Sequence, residues 1–312
     1  MWFNNIVIYQ FKEGFEKSLE EIQLALEEHR LKPCPPHARQ SQGWTPPFSH
    51  SEEKAHLIYG CHVLVAAKEV RLLPANIIKA VLNEKTKAFE QANHKPMRRA
   101  ELLQLKEEIE FELLPKAFTV EKKEWLYIDT VNQWIVINTS SYKKASETIT
   151  LLTKALGSLS VVPLTMEADL SSLFSQWLHE PSTLPEGLFL GNNCVLINSG
   201  DDKSQYNCKD IEHNLDEIKT LIKQGYSVSS LELSWRERVQ FTLTDDCLLK
   251  RLKCVDYLED EFKENSKLEN EQAIFDANFS LLAGEVRELV SYLISTCVKT
   301  PAKTTDTTPV TC

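Results

Sequence analysis

Apolar positions along this chain follow two rhythms, and the switches between them mark its elements. Residues 2–10 form a short apolar run that reads as a strand. Over residues 15–29, Phe15, Leu19, Ile22, Leu24 and Leu26 recur close to helical spacing with Glu and Lys between them, which predicts a helix. A Pro-rich stretch, residues 32–48, reads as a loop, and strands are predicted at 56–59 and 61–66. Pro74 then opens a helix that runs to about residue 91. Pro96 interrupts the pattern, and a second helix from about residue 97 is stopped by Pro115. Next come a hairpin (124–130 and 133–139, turning at Val131 and Asn132), a helix at 143–156 and a strand at 160–164.

The last third reads as a strand at 194–198, a helix at 210–223, and strands at 227–235, 238–243 and 247–255, with a turn at 244–246. A long closing helix carries Phe275, Phe279, Leu282, Val286, Leu289, Val290 and Leu293 as one apolar stripe. After Val298 the chain turns polar and is expected to be disordered. The expected fold class is α+β, with mixed sheets, packed helices and a helical arm inserted between sheet-forming segments. The expected organisation is a central domain from residues 1–75 and 119–165, an arm at 76–118, a base domain at 166–298 and a tail at 299–312.

Composition narrows the class. At 312 residues, with 42% hydrophobic and 26% charged positions, the chain is ordinary for a globular protein and long enough for more than one domain. No apolar run reaches the roughly 18 residues that a membrane span requires. The start lacks a basic region and a small-residue cleavage site, so it is read as a strand rather than a signal peptide. Eight cysteines without a CxxC pair suggest neither a zinc site nor a disulfide framework, and a reducing cytoplasm is the expected location.

Charge changes the picture more. Residues 76–106 hold seven Lys or Arg (Lys79, Lys85, Lys87, Lys95, Arg98, Arg99 and Lys106) against Glu84, Glu90 and Glu101, a net +4. The whole chain carries −10, so the remainder carries −14. An isolated cationic surface on an acidic body either presents nucleic acid to one face or is a solvated hairpin. Just beyond the arm, LLPKAFT offers Lys116 for a phosphate and Phe118 for stacking or wedging, unless that ring packs inward. SWRERVQF supplies Arg236 and Arg238, which strand alternation places on one face. LLKRLK supplies Lys250 and Arg251, which alternation places on opposite faces. The alternative for these groups is a surface strand pair neutralised by Asp245 and Asp246.

Enzyme signatures are missing. There is no GxGxxG, GxxxxGK[ST], GxSxG or HExxH, and the nine glycines leave few phosphate-cradling loops. The eight histidines show no metal-ligand spacing. Asp245 and Asp246 either hold a divalent ion for phosphodiester cleavage or form a hairpin turn, which Asp favours. No catalytic residue, metal or cofactor is expected.

Several segments together resemble the recombination-associated protein RdgC family of proteobacteria. They are MWFNNIVIYQF, GWTPPF, LLPANIIKAVL, LLPKAF, YIDTVN, LGSLSVVPL, LKRLK and FDANF, in that order along the chain. The resemblance implies a ring-shaped homodimer enclosing DNA and binding without sequence specificity to double- and single-stranded DNA. It also implies limitation of RecA-promoted strand exchange by occupancy of the DNA, no catalysis, and a cytoplasmic, nucleoid-associated location. Lys79, Lys87, Lys95, Arg98, Arg99, Lys116, Phe118, Arg236, Arg238, Lys250 and Arg251 are the candidate DNA contacts. The alternative is a protein-interaction scaffold whose basic arm docks an acidic partner.

Overall fold

Two antiparallel sheets joined by one long helix make up the body in the computed structural model, which describes residues 3–198, 204–255, 257–268 and 270–297. The first sheet contains β1 (Val7–Phe11), β2 (Gln40–Thr45), β3 (Ala55–Ile58), β4 (Cys61–Arg71), β5 (Thr119–Asp129), β6 (Trp134–Ile137) and β7 (Val161–Pro163). Its order is β2-β4-β5-β6-β1-β7, with β3 paired to β4 beside that path. The second contains β8 (Leu188–Asn198), β9 (Gln205–Lys209), β10 (Tyr226–Trp235), β11 (Val239–Thr244) and β12 (Leu249–Cys254), in the order β12-β11-β10-β8-β9.

Every pairing between these strands is antiparallel, which corrects the expectation of mixed sheets. Strands and helices alternate along the chain in an α+β manner, a pattern that does not fix strand direction. The two arm helices, however, carry the chain out and back, so it returns to the end it left and β5 must run against β4.

One face of the first sheet is covered by α1 (Leu19–Glu28) and α4 (Tyr142–Leu156). The start of α1 is fixed by a capping box. Ser18 Oγ accepts from the Glu21 N–H at 3.2 Å, and the Glu21 carboxylate accepts from the Ser18 N–H at 2.7 Å. Ile22 and Leu26 of α1, with Ala145, Leu151, Leu152 and Leu156 of α4, bury against Val7, Leu64, Leu126, Ile135 and Ile137 of the sheet. The opposite face packs on α8 (Glu271–Thr296), α5 (Leu170–His179) and the second sheet in a single continuous core. The predicted stripe of α8, from Phe275 to Leu293, is buried at every position. Each such side chain contributes roughly 1.5–3 kcal/mol by leaving water.

Polar links tie the halves together. Ile6 and Leu249 exchange backbone hydrogen bonds at 2.8 and 3.3 Å. Arg287 of α8 donates from Nε and Nη2 to the two carboxylate oxygens of fully buried Asp129, at 2.7 and 2.9 Å. A third hydrogen bond from Arg287 reaches the Tyr59 carbonyl at 2.9 Å.

Several elements depart from expectation. β2 lies inside the stretch read as a loop, because QSQGWT carries no alternating apolar pattern. Pairing with β4 and burial of Trp44 hold it instead. Only glycine fits at position 43, since a Cβ there would lie 2.5 Å from the Leu31 nitrogen. α5, β9 and α7 (Tyr257–Asn265) had no counterpart in the reading, and β8 begins six residues before the predicted strand. Trp2 and the expected disordered tail lie outside the described residues.

Candidate nucleic-acid interface

The β4–β5 ladder runs unbroken from Cys61↔Asp129 to Arg71↔Thr119, and the arm is inserted at its far end. It consists of α2 (Ala75–Asn93), a short link and α3 (Arg99–Leu113), followed by a single 3-10 turn at Leu114–Lys116. Ile78, Ile109 and Leu114 are its buried apolar residues, whereas Ile77, Leu103 and Phe111 are exposed. The hairpin therefore depends on its root for orientation.

The root is held by Arg71. Its Nη1 donates to the Leu114 and Ala117 carbonyls, both at 3.1 Å, and its Nη2 donates to the Cys34 carbonyl at 3.0 Å. The exits of the arm are paired by a Leu72 N–H to Phe118 carbonyl bond of 2.7 Å. Arg39 pairs with Glu110, and the His37 ring stacks on Phe111 at 3.8 Å, with 6° between the planes.

Charge is graded along the arm. Near the root, Glu112 takes Lys85 at 2.9 Å and Lys116 at 4.0 Å, and the hydrogen bond and charge of Lys85 hold its carboxyl below the ordinary value. Lys79 in the second turn of α2, and Lys87, Lys95, Arg98 and Arg99 farther out, are exposed, and among the described residues none of them forms an ion pair. Arg98 is the residue before α3. Its backbone N–H donates to the Glu101 carboxylate at 2.7 Å, and among the described residues its guanidinium forms no ion pair. Phe118 is 85% exposed, so the ring does not pack inward beneath the arm.

The remaining candidates lie on the second sheet, where geometry changes two readings. Arg236 is not on a strand; it sits in the β10–β11 turn with φ 48°, followed by Glu237 at φ 54°. The turn aims both arginines at α8, where Arg236 meets Glu288 at 3.0 Å and Arg238 pairs with Glu285. Arg236 also lies 4.7 Å over the Trp235 ring. Burial raises the Glu285 carboxyl's pKa even though the Arg238 charge opposes it. The acids that neutralise these arginines thus come from α8, not from Asp245 and Asp246.

Lys250 and Arg251 were expected on opposite faces of a strand. A bulge between the Gln240 and Thr242 pairings, with Arg251 at φ 54°, lets both line one groove of about 440 Å³. Asp245 and Asp246 form the β11–β12 turn, with the Asp245 N–H on the Ser229 carbonyl at 2.9 Å and the Thr244 hydroxyl on the Asp246 carboxylate. Burial, then the neighbouring Asp246 charge, raises the Asp245 carboxyl. Among the described residues, no group of three or more His, Cys, Asp or Glu side chains is placed to hold a metal ion. No helix there is long and apolar enough to cross a membrane.

Sequence reading passed over a second cationic surface. A groove of about 540 Å³ on the first sheet is lined by Lys68, Lys122, Lys123 and Lys144, with Asn5, Asn138 and Thr139 among the neutral residues. The doublets at 122–123 and 143–144 were visible in the sequence, but the register that sets Lys122 opposite Lys68 and the placement of Lys144 on α4 beside them were not.

These features define a class, an acidic α+β body with a helical arm, cationic in its outer part, built into one hairpin of its main sheet. The comparisons with known proteins then fix the lineage. The family model described as "Putative exonuclease, RdgC" matches residues 1–299. The "Recombination-associated protein RdgC" of Yersinia pestis (strain Pestoides F) is 36% identical over 295 residues, covering 94% of this chain and 97% of that protein. Its counterpart in Pseudoalteromonas translucida (strain TAC 125) is 35% identical over 294 residues, covering 94% and 96%. The chain belongs to the RdgC family of recombination-associated proteins.

Proposed function

We propose that this protein binds double- and single-stranded DNA without sequence preference, as a non-catalytic ring-shaped homodimer, and limits RecA-promoted strand exchange by occupying the DNA in the nucleoid. The observation that carries the reading is the set of arm cations that have no ion-pair partner among the described residues, with Phe118 exposed beside Lys116 at the root, on a chain of net charge −10. Phosphates carry no base information, so contacts of this kind give affinity without sequence choice. An acidic body confines the polyanion to the cationic faces. Lys79, Lys87, Lys95, Arg98, Arg99 and Lys116 supply phosphate contacts in this reading, Phe118 supplies a ring for bases, and Lys250 and Arg251 extend the surface onto the second sheet. Arg236 and Arg238 contribute less, because α8 already neutralises them. Family membership supports a role in recombination.

The test is fluorescence anisotropy of the full chain with two unrelated duplexes and one single strand over a salt series. Equal affinities for the two duplexes are expected, falling roughly 10³–10⁵-fold between 50 and 200 mM salt if six to ten phosphates are neutralised. Retention on closed circles but loss from linear DNA after a salt challenge is the signature expected of a ring. Absence of binding at low salt overturns the reading. Release of nucleotides from end-labelled DNA with magnesium would instead make the protein a nuclease.

A further inference from the structure

The outer part of the β4–β5 ribbon sets like charges opposite each other on both of its faces. Lys68 and Lys122 are direct cross-strand partners, with Gln42 of β2 opposite Lys68 on the other side. One residue farther along, Glu69 and Glu121 are partners, and alternation sends them to the reverse face. Like charges directly opposite each other destabilise a ladder. Residues 119–123 are exposed, so no packing requires a lysine at position 122. The arrangement makes physical sense where something outside the chain supplies negative charge to that face.

The groove's other residues fit one kind of ligand. Lys144, in the first turn of α4, stands beside the Lys68–Lys122 rung, and among the described residues neither Lys122 nor Lys144 has an ion-pair partner. The groove's two acids are engaged: Glu147 with Lys68 at 3.5 Å, and Glu124 with the Thr148 hydroxyl at 2.6 Å. Among the described residues no aromatic side chain lines the groove. It therefore has neither a stacking platform for bases nor the aromatic anchors that dominate protein–protein contacts. Its cations and neutral donors suit phosphate oxygens and sugar edges. At one margin, Asn5 lines the groove while its Oδ1 accepts from the Arg251 N–H at 3.2 Å, so the surface runs on to Arg251 and Lys250.

We infer that this groove is a second track for the DNA sugar–phosphate backbone, contacting phosphates through Lys68, Lys122 and Lys144 independently of the arm. The inference rests on the DNA-binding reading and extends it from the arm to the body.

The experiment uses the full-length protein and a fluorescein-labelled duplex, with anisotropy titrations from 50 to 200 mM salt. Thermal unfolding is recorded for each variant. Lys122→Gln with Lys144→Gln should lower the log–log salt slope by about two and weaken binding roughly a hundredfold at 0.1 M salt. Lys122→Glu, which creates an opposite-charge rung with Lys68, should weaken binding while leaving the melting temperature equal to or above that of the unmodified protein. That outcome separates a ligand contact from a folding defect.

Unchanged affinity and slope in these variants, alongside weakened binding in Arg98→Glu with Arg99→Glu, overturns the groove and leaves the arm reading intact. No duplex binding by the unmodified protein overturns both. If polyglutamate binds the unmodified protein and loses affinity with Lys122→Gln and Lys144→Gln while duplex binding does not, the groove serves an acidic protein segment and the inference fails.

Discussion

Two arginines packed into the body and the exposed cations of the arm sit in opposite circumstances. Arg287 is held in a bidentate pair with a fully buried carboxylate, and Arg238 meets a nearly buried one. Lys79, Lys95, Arg98 and Arg99 stand in water, with no acid near enough to pair among the described residues. A buried charge has to be paired, because desolvation of a lone ion costs several kcal/mol. An exposed unpaired charge costs the fold almost nothing. Arg287 and Arg238 are therefore committed to architecture, while the arm's charges that lack a partner among the described residues can change with little consequence for the fold and remain free for an external partner.

Four sets of variants break or sharpen this contrast. Arg287→Ala leaves Asp129 buried without its counter-ion and should cost about 3–5 kcal/mol of stability in chemical denaturation. Arg98→Glu with Arg99→Glu should move stability by no more than about 0.5 kcal/mol, since acids are welcome at a helix start. The same pair should weaken DNA binding about a hundredfold at 0.1 M salt. Comparable loss of stability in the two variants would erase the distinction between arm and body.

Phe118→Ala should cost about 1–3 kcal/mol of affinity for single-stranded DNA at an unchanged melting temperature. A fall in melting temperature would give the ring a packing role instead. The smallest effects concern pH. Desolvation works to raise the Asp129 carboxyl, but the hydrogen bonds from Arg287 and Asn132 outweigh it and hold it below its ordinary value. Its contribution to stability is thus complete above the ordinary carboxylate range and disappears as pH falls through the depressed value. Glu285 is raised by burial, so the folded state binds the extra proton and stability falls as pH rises through that window. Asp129→Asn should remove the acid-side loss and Glu285→Gln the opposite slope, both read from denaturation midpoints across pH.

Much of the scaffold was legible because the signals were local. The α8 stripe follows from 3.6-residue periodicity, and Pro74, Pro96 and Pro115 delimit the arm helices within a few residues. What escaped depends on partners distant in sequence. β2 exists because β4 offers it a free edge and a place for Trp44. The bulge at Arg251 and the left-handed Arg236 leave no periodic trace, so the directions of those basic groups were misread. The Lys68–Lys122 rung was invisible because the whole arm separates its two members in the chain.

The Arg71 clamp has a mechanical side. α2 is 19 residues long, about 28 Å at 1.5 Å per residue, and its root is gripped within a few residues of one guanidinium. Any rotation at that grip is magnified along the lever: a tilt of about 10° displaces the far end by about 5 Å. Successive phosphates of a strand advance about 3.4 Å along the duplex axis. Keeping the arm's aim within one phosphate step therefore requires the root to turn by less than about 7°, and the grip that resists such a turn is a set of hydrogen bonds from one guanidinium to four backbone carbonyls.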